Sequence, residues 1–178
     1  PDFSLDDLPG AGRLDVLCRC VTAALLRSHG VREDARVHLV LGDAYAVRID
    51  GATVRSLSPD ERSTAALVRT ALEARDEAVG HVPADAAPGI ELHRGGLERT
   101  LERAVADAGT VVRLHEAGRP VIETDPPTDP LYVLSDHRDL TDGEAATVGA
   151  AADATVRLGP EPIHADHAIT VAHSYHDT

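Results

Sequence analysis

Lysine, methionine and tryptophan are absent from this 178-residue sequence. All 17 basic residues are therefore arginines, and with 30 acidic residues the formal net charge is −13. Such a surface repels itself at low ionic strength and suits a concentrated electrolyte that screens it. We expect a protein from a halophilic cytoplasm, although a GC-rich genome would also replace lysine by arginine.

Long apolar runs are also missing, since no run reaches the length of about 20 residues that crosses a bilayer. Residues 1–12 are acidic and lack the apolar core of a secretory signal. We therefore expect a single-domain cytoplasmic protein without membrane contact. The two cysteines, Cys18 and Cys20, would point to different faces of a helix, which favours two buried apolar side chains over a disulfide or a shared metal.

Short fingerprints of common enzymes do not occur. The sequence contains no Walker loop, no glycine-rich dinucleotide motif and no nucleophile elbow. Four C-terminal histidines form two pairs, His164 with His167 and His173 with His176. The pairs are about half a turn out of phase on a helix, so we expect no metal site there. A metal-dependent hydrolase is the weakest interpretation.

Apolar periodicity predicts alternating helices and strands. Helices are expected to start near residues 14, 58, 97, 141 and 165, and strands at 37–41, 90–93, 111–114, 131–134 and 155–158. Asp50-Gly51 predicts a hairpin, and Ser58 and Thr141 predict helix caps with a glutamate three residues later. This order predicts one α/β domain over residues 1–178, with a mainly parallel sheet and helices on both faces.

Polar residues follow two of the late predicted strands. Ser135 and Asp136 come directly after the strand ending at Leu134, and Gly159 follows the strand ending at Leu158. The carboxyl ends of parallel strands are where open α/β sheets bind ligands. These residues are candidates for contact with a small ligand, and an Asp-rich turn that caps the next helix is an equally good interpretation.

Arginines are frequent near the first helix and the predicted hairpin. The set consists of Arg13, Arg19, Arg32, Arg55 and Arg62, with Asp15 among them. Guanidinium groups bind phosphate with two parallel hydrogen bonds, so this set is a candidate RNA-binding surface. Each arginine alone is better explained as a solvated or ion-paired residue, and the pattern by itself does not identify RNA.

Three segments together resemble one family. They are Gly12–Val16 with residues 27–34, then Leu57–Arg62, then Val133–His137 with Leu158–Pro160 and the helix from His164 to His173. Their order and spacing are similar to those of the archaeal tRNA pseudouridine N1-methyltransferases of the SPOUT superfamily. The resemblance implies a C-terminal trefoil knot, a homodimer, and S-adenosylmethionine-dependent methylation of N1 of pseudouridine 54 in the T loop of tRNA.

The resemblance also implies roles for individual residues. S-adenosylmethionine would lie against backbone groups of the knot, within about residues 130–178, at Leu134, Ser135, Leu158, Gly159, His164, His167 and Ala168. Similarity to ribosomal-RNA pseudouridine methyltransferases supports Arg13, Asp15 and Arg62 as RNA-side residues within about 10–78. Many relatives have a cysteine where this sequence has His167-Ala168, so a side-chain role is not implied there.

Methyl transfer to N1 of pseudouridine requires removal of a weakly acidic N–H proton. Asp15 is the first candidate for accepting this proton or orienting the base, and Asp136 is the second. Asp15 is equally suited to be the ion-pair partner of Arg13 or Arg19. A SPOUT methyltransferase acting on ribosomal RNA and a non-catalytic RNA-binding dimer remain alternative functions.

Overall fold

The computed structural model describes residues 3–177. Backbone contacts divide the chain into two units, Pro1–Leu97 and Glu98–Thr178. The predicted RNA-side segment falls in the first unit and the predicted cofactor segment in the second, while the expectation of one domain over 1–178 stays a prediction. Within the described residues, every helix is too short or too polar to cross a bilayer.

A four-stranded antiparallel sheet and two helices form the first unit. Its elements are α1 (Leu14–Leu25), β1 (Leu26–Arg27), β2 (Gly30–Val31), β3 (Arg36–Leu41), β4 (Tyr45–Asp50), α2 (Glu61–Glu73), β5 (Ala84–Ala87) and β6 (Ile90–Arg94). The strand order is β3-β4-β6-β5, and β1 pairs separately with β2. Helices α1 and α2 contact each other and pack on one face of the sheet, in which Val47 and Ile49 are fully buried.

The prediction of a mainly parallel sheet with helices on both faces is wrong for this unit. Three residues join β3 to β4, and a parallel connection needs about a dozen. The hairpin joins β3 to β4 and so lies one turn earlier in the sequence than predicted. Strand β4 ends at Asp50, and its other partner is β6 instead of a strand that directly follows Gly51. Gly51 serves another purpose: a Cβ there would lie 2.0 Å from the carbonyl oxygen of Arg32, so only glycine allows this approach.

Helix caps agree with the sequence in one case and differ in another. At α2 the predicted cap Ser58 is wrong, because the carboxylate of Asp60 accepts the backbone N–H of Ser63 at 2.8 Å and takes that role. The helix ends at Glu73. In α1 both cysteines are buried, as expected, and burial raises the pKa of Cys18 to about 12.

The second unit contains a three-stranded parallel sheet, which confirms the parallel pairing for this part of the chain. Its elements are α3 (Leu97–Val105, whose first residue closes the first unit), β7 (Thr110–Pro120), a 3-10 turn (Val121–Glu123), β8 (Pro130–Val133), α4 (Asp142–Ala151), β9 (Ala154–Arg157) and α5 (Ala165–His176). The order is β8-β7-β9, so the chain passes from β8 through α4 to the other side of β7. Thr141 and Glu144 form the predicted capping box of α4.

The central strand β7 is interrupted by a loop that sequence reasoning did not predict. Val156 of β9 pairs with Leu114 and again with Arg119, so residues 115–118 are looped out between them. Gly118 returns the chain to the sheet, and a Cβ at this position would lie 2.6 to 2.7 Å from backbone atoms of Val156. The loop therefore depends on the absence of a side chain at Gly118.

We expect Gly118→Ala to lower the free energy of unfolding by about 1–3 kcal/mol, because the added methyl group meets backbone that cannot rotate away. Gly149→Ala in α4 is the matched control: a Cβ there meets no atom within 4 Å. This change should stabilise the helix by about 0.5–1 kcal/mol. Denaturant titrations followed by circular dichroism in concentrated salt measure both values, and equal effects would contradict the packing argument.

Candidate functional site

Parallel pairing brings several predicted ligand residues to one edge of the second unit's sheet. Arg113 of β7 is in register with Val133 of β8 and with Thr155 of β9. The segments Leu134–Asp136 and Leu158–Pro160 leave the outer strands at their carboxyl ends, and residues 115–118 leave β7 at the same end. This edge has the geometry of the ligand sites of open α/β sheets.

Backbone polar groups of these segments are available to a ligand. In the part of the chain that the structure describes, backbone–backbone hydrogen bonds outside helices and strands involve neither residues 134–140 nor 158–163. A Cβ at Gly159 would meet only the carbonyl oxygen of Glu161, at 3.6 Å. Apart from the Arg138 N–H, which donates to Asp136, the edge therefore offers loop backbone outside the regular hydrogen-bond ladder and an open approach at Gly159, as a small polar ligand requires.

The remaining predicted ligand residues lie at the start of α5. His164 is its N-cap residue, and the backbone N–H of Ala168 donates to the His164 carbonyl at 2.8 Å. The rings of His164 and His167 meet edge to face, with centroids 5.9 Å apart. Ala168 is buried, whereas the His167 side chain is 69% exposed. Among residues 3–177, no group of three histidine, cysteine or carboxylate side chains is arranged to hold a metal ion.

Asp136 lies in a short polar chain after β8. Its carboxylate accepts the backbone N–H of Arg138 at 2.9 Å and lies 3.2 Å from Nδ1 of His137. The Nε–H of Arg138 points to Nε2 of His137 at 3.1 Å, which makes that nitrogen the acceptor and assigns the ring proton to Nδ1. His137 therefore donates to Asp136, and both interpretations of this segment, capping turn and ligand contact, remain compatible with the geometry.

In the first unit Asp15 joins two of the predicted RNA-binding arginines. Both its carboxylate oxygens accept from Arg13, at 3.0 Å each, and one also accepts from Arg19 at 3.1 Å. Arg19 continues to Glu61 of α2 at 2.9 Å. The hydrogen bond from Arg13, helped by Arg19 and opposed by burial, lowers the pKa of Asp15 to about 2. The ion-pair interpretation of Asp15 is thus the one that the contacts bear out.

The backbone is strained at the start of this network. Arg13 has φ 62° and ψ 40°, the left-handed region that residues with side chains rarely adopt, and Gly12 precedes it with φ 70°. Ser56, next to Arg55, is a second such residue, with φ 61°. Strained positions of this kind are concentrated at functional sites, where the surrounding structure holds them.

The other predicted arginines occupy different parts of the first unit. Arg62 of α2 forms an ion pair with Asp6 and donates to the backbone of Leu5. The close approach of Gly51 to the Arg32 carbonyl places Arg32 beside the turn that leads from β4 to the exposed Arg55. The structure connects Arg13 and Arg19 directly, through Asp15.

We expect Asp15→Asn to lower the free energy of unfolding at neutral pH by about 1–2 kcal/mol, since both arginines are partly solvated. The folded pKa of Asp15 lies below its unfolded value, so this stability is complete above the unfolded pKa of 3.8 and is lost as the pH falls through about 2. Denaturant titrations between pH 7 and pH 2 should show the two proteins converging in acid. Asp85→Asn, at an exposed carboxylate of β5, serves as the control, and a pH-independent difference would contradict the linkage.

Comparison with known proteins gives matches over nearly the whole chain. The family described as "Putative SAM-dependent RNA methyltransferase" matches residues 1–178. Proteins named tRNA (pseudouridine(54)-N(1))-methyltransferase from Haloferax volcanii and Haloarcula marismortui are 64% and 60% identical, over 100% of this chain and 90% of each relative. The protein of that name from Methanopyrus kandleri is 41% identical over 97% of this chain and 83% of its own.

A solved structure shares the fold at low sequence identity. The crystal structure of Archaeoglobus fulgidus Nep1 bound to S-adenosylhomocysteine matches with a TM-score of 0.63 and 15% identity, over 93% of this chain and 70% of that one. The family match spans the whole sequence, and the relatives from Haloferax volcanii and Haloarcula marismortui exceed half identity over their shared length. The chain belongs to the family of S-adenosylmethionine-dependent RNA methyltransferases that contains the tRNA (pseudouridine(54)-N(1))-methyltransferases.

Proposed function

We propose that this protein transfers a methyl group from S-adenosylmethionine to N1 of pseudouridine 54 in the T loop of tRNA. The observation that carries the proposal is 64% identity over the entire chain to a relative named for that reaction. Two features of the structure support it: an edge of a parallel sheet from which loops leave all three strands, and an arginine network with strained backbone in the other unit.

The cofactor supplies a methyl group already activated by a sulfonium charge. The residues that would hold it are those of the sheet edge and the start of α5: Leu134, Ser135, Leu158, Gly159, His164, His167 and Ala168. The first four offer backbone groups that make no regular hydrogen bonds. An adenine and a ribose need such donors and acceptors, so the chemistry of the edge fits the cofactor.

On the RNA side, Arg13, Arg19 and Arg62 would contact phosphates, with Arg32 and Arg55 as further contacts. Asp15 fixes the guanidinium groups of Arg13 and Arg19 through three hydrogen bonds. A fixed guanidinium group loses less side-chain entropy when it binds a phosphate. Asp15 would therefore act as a positioning residue for the two arginines.

The same contacts make Asp15 a weak proton acceptor. A carboxylate with a pKa of about 2 has little tendency to take a proton from a neutral N–H group. We assign the acceptor role to Asp136, whose carboxylate lies at the edge of the cofactor-side sheet and already accepts from Arg138. Asp136 would take the N1 proton onto a carboxylate oxygen, which would leave the nitrogen lone pair free to act as the nucleophile.

Further features of the resemblance belong to this proposal. A trefoil knot over about residues 130–178 and a homodimer are expected, and the β8-β7-β9 order and the fold shared with Nep1 support the knot. A net charge of −13 and the identity to proteins of Haloferax volcanii and Haloarcula marismortui support a halophilic cytoplasm.

The reaction is tested with purified protein in concentrated salt, labelled S-adenosylmethionine, and two tRNA transcripts that carry either pseudouridine or uridine at position 54. We expect one methyl group per pseudouridine-containing tRNA and none on the other.

Arg62→Gln should lower kcat/KM for tRNA by about tenfold through loss of one charged contact. Arg69→Gln, on the same helix and also paired with one carboxylate, should stay within about twofold of the wild-type protein.

The outcome separates the proposal from its alternatives. Nucleoside mass spectrometry would find the methyl group on ribosomal RNA instead if the substrate were different. A protein that binds tRNA but no S-adenosylhomocysteine would be an RNA-binding module. Equal losses in the two arginine variants would remove Arg62 from the RNA surface.

We expect Gly159→Leu to weaken binding of S-adenosylhomocysteine at least about tenfold, because the side chain would occupy the open approach at the sheet edge. The fold should survive, since only the Glu161 carbonyl lies near a Cβ at this position and its φ is not in the left-handed region. Gly143→Leu in the first turn of α4 is the matched control. Titration calorimetry measures both, and normal affinity in Gly159→Leu would place the cofactor elsewhere.

A further inference from the structure

Helix α3 carries its charges in an arrangement that differs from that of α1 and α2. In α1 Arg19 lies four residues after Asp15 and forms an ion pair with it at 3.1 Å, and in α2 Arg69 forms an i,i+4 pair with Glu73 at 3.8 Å. In α3 the partner four residues from Arg99 is Arg103. Like charges at this spacing repel each other and destabilise a helix.

The repeat Leu-Glu-Arg in α3 separates charges by sign. Thr100, Leu101 and Ala104 are buried and form the apolar face. At 100° per residue, Arg99 and Arg103 lie together on one flank of that face, and the acidic residues Glu98 and Glu102 lie on the other flank. The helix therefore presents a pair of adjacent guanidinium groups.

Neither arginine has an acidic partner. In the described part of the chain, no carboxylate lies within ion-pair distance of Arg99 or Arg103, and Arg103 makes one weak hydrogen bond, at 3.4 Å, to the hydroxyl of Thr100. Burial, and then the charge of Arg99, lower the pKa of Arg103, and the charge of Glu102 opposes them. In a chain with 30 acidic residues and 17 basic ones, two neighbouring cations that form no ion pair with a described carboxylate are unexpected.

We propose that Arg99 and Arg103 form a binding site for an RNA backbone phosphate, in addition to the arginines of the first unit. A phosphate is the anion that two adjacent guanidinium groups bind with several charge-assisted hydrogen bonds. The occupant is tRNA because the proposed function supplies a polyanion to this protein, and the inference rests on that function. Arg99 and Arg103 add a contact from the second unit, where the cofactor edge also lies.

The test compares two double variants with the same change in net charge. Arg99→Gln/Arg103→Gln removes the unpaired cations, and Arg27→Gln/Arg69→Gln removes two that are paired with Asp34 and Glu73. Binding of tRNA is measured by filter retention over a range of salt concentrations. We expect the first variant to bind about tenfold more weakly and to lower the slope of log K against log salt by about 1–2, with the control near wild type.

Additional measurements exclude a folding effect and separate this inference from the proposed function. Affinity for S-adenosylhomocysteine and kcat at saturating tRNA should be unchanged in the first variant, while KM for tRNA rises. Arg99→Lys/Arg103→Lys should recover most of the affinity, since lysine keeps the point charge. Equal weakening of tRNA binding in both glutamine variants would overturn the inference, because binding would then depend only on the net charge of the protein. Failure of the wild-type protein to methylate tRNA, with the binding difference intact, would overturn the proposed function alone.

Discussion

The parallel pairing of β7 with β8 and β9 is the constraint on which the candidate cofactor site depends. Parallel strands cannot be joined by a tight turn, so α4 must carry the chain from one side of β7 to the other. All three carboxyl ends then meet at one edge, and the loops that follow them need no regular hydrogen bonds with each other. A ligand with many donors and acceptors can take the place of those bonds. The glycine at position 118, packed on the backbone of Val156, keeps the central loop against the sheet.

The first unit keeps the guanidinium groups of two arginines accessible in a chain that is acidic overall. Asp15 is buried and holds Arg13 and Arg19 by geometry as well as charge, and the guanidinium groups of both stay partly exposed. This arrangement lowers the basicity of the carboxylate, and for that reason it argues against proton transfer to Asp15. A residue first considered for chemistry is better understood as part of the scaffold that orients two arginines, which we propose to bind phosphate.

Sequence reasoning succeeded where the physical signal is local. The capping box of Thr141 and the strands at the carboxyl edge follow from side chains within a few residues of each other. It failed where the deciding contact is distant in sequence. Asp50-Gly51 predicts a hairpin, but glycine is required at position 51 because the Arg32 carbonyl lies too close for a side chain. Strand β4 pairs instead with β6, which is distant in sequence. The loop at residues 115–118 was missed because its register is set by Val156, on another strand.

In molar salt the screening length falls to about 3 Å, so long-range attraction between a protein and RNA is lost. Only arginines in direct contact with a phosphate then contribute to binding, and the total charge of the protein matters less. In the halophilic cytoplasm that we propose, a chain with a net charge of −13 could therefore still bind an RNA substrate. An arginine held in place before RNA arrives loses less entropy on binding, and Asp15 with the strained backbone holds Arg13 in this way. The proposed site on α3 differs, because there the spacing along the helix places Arg99 beside Arg103.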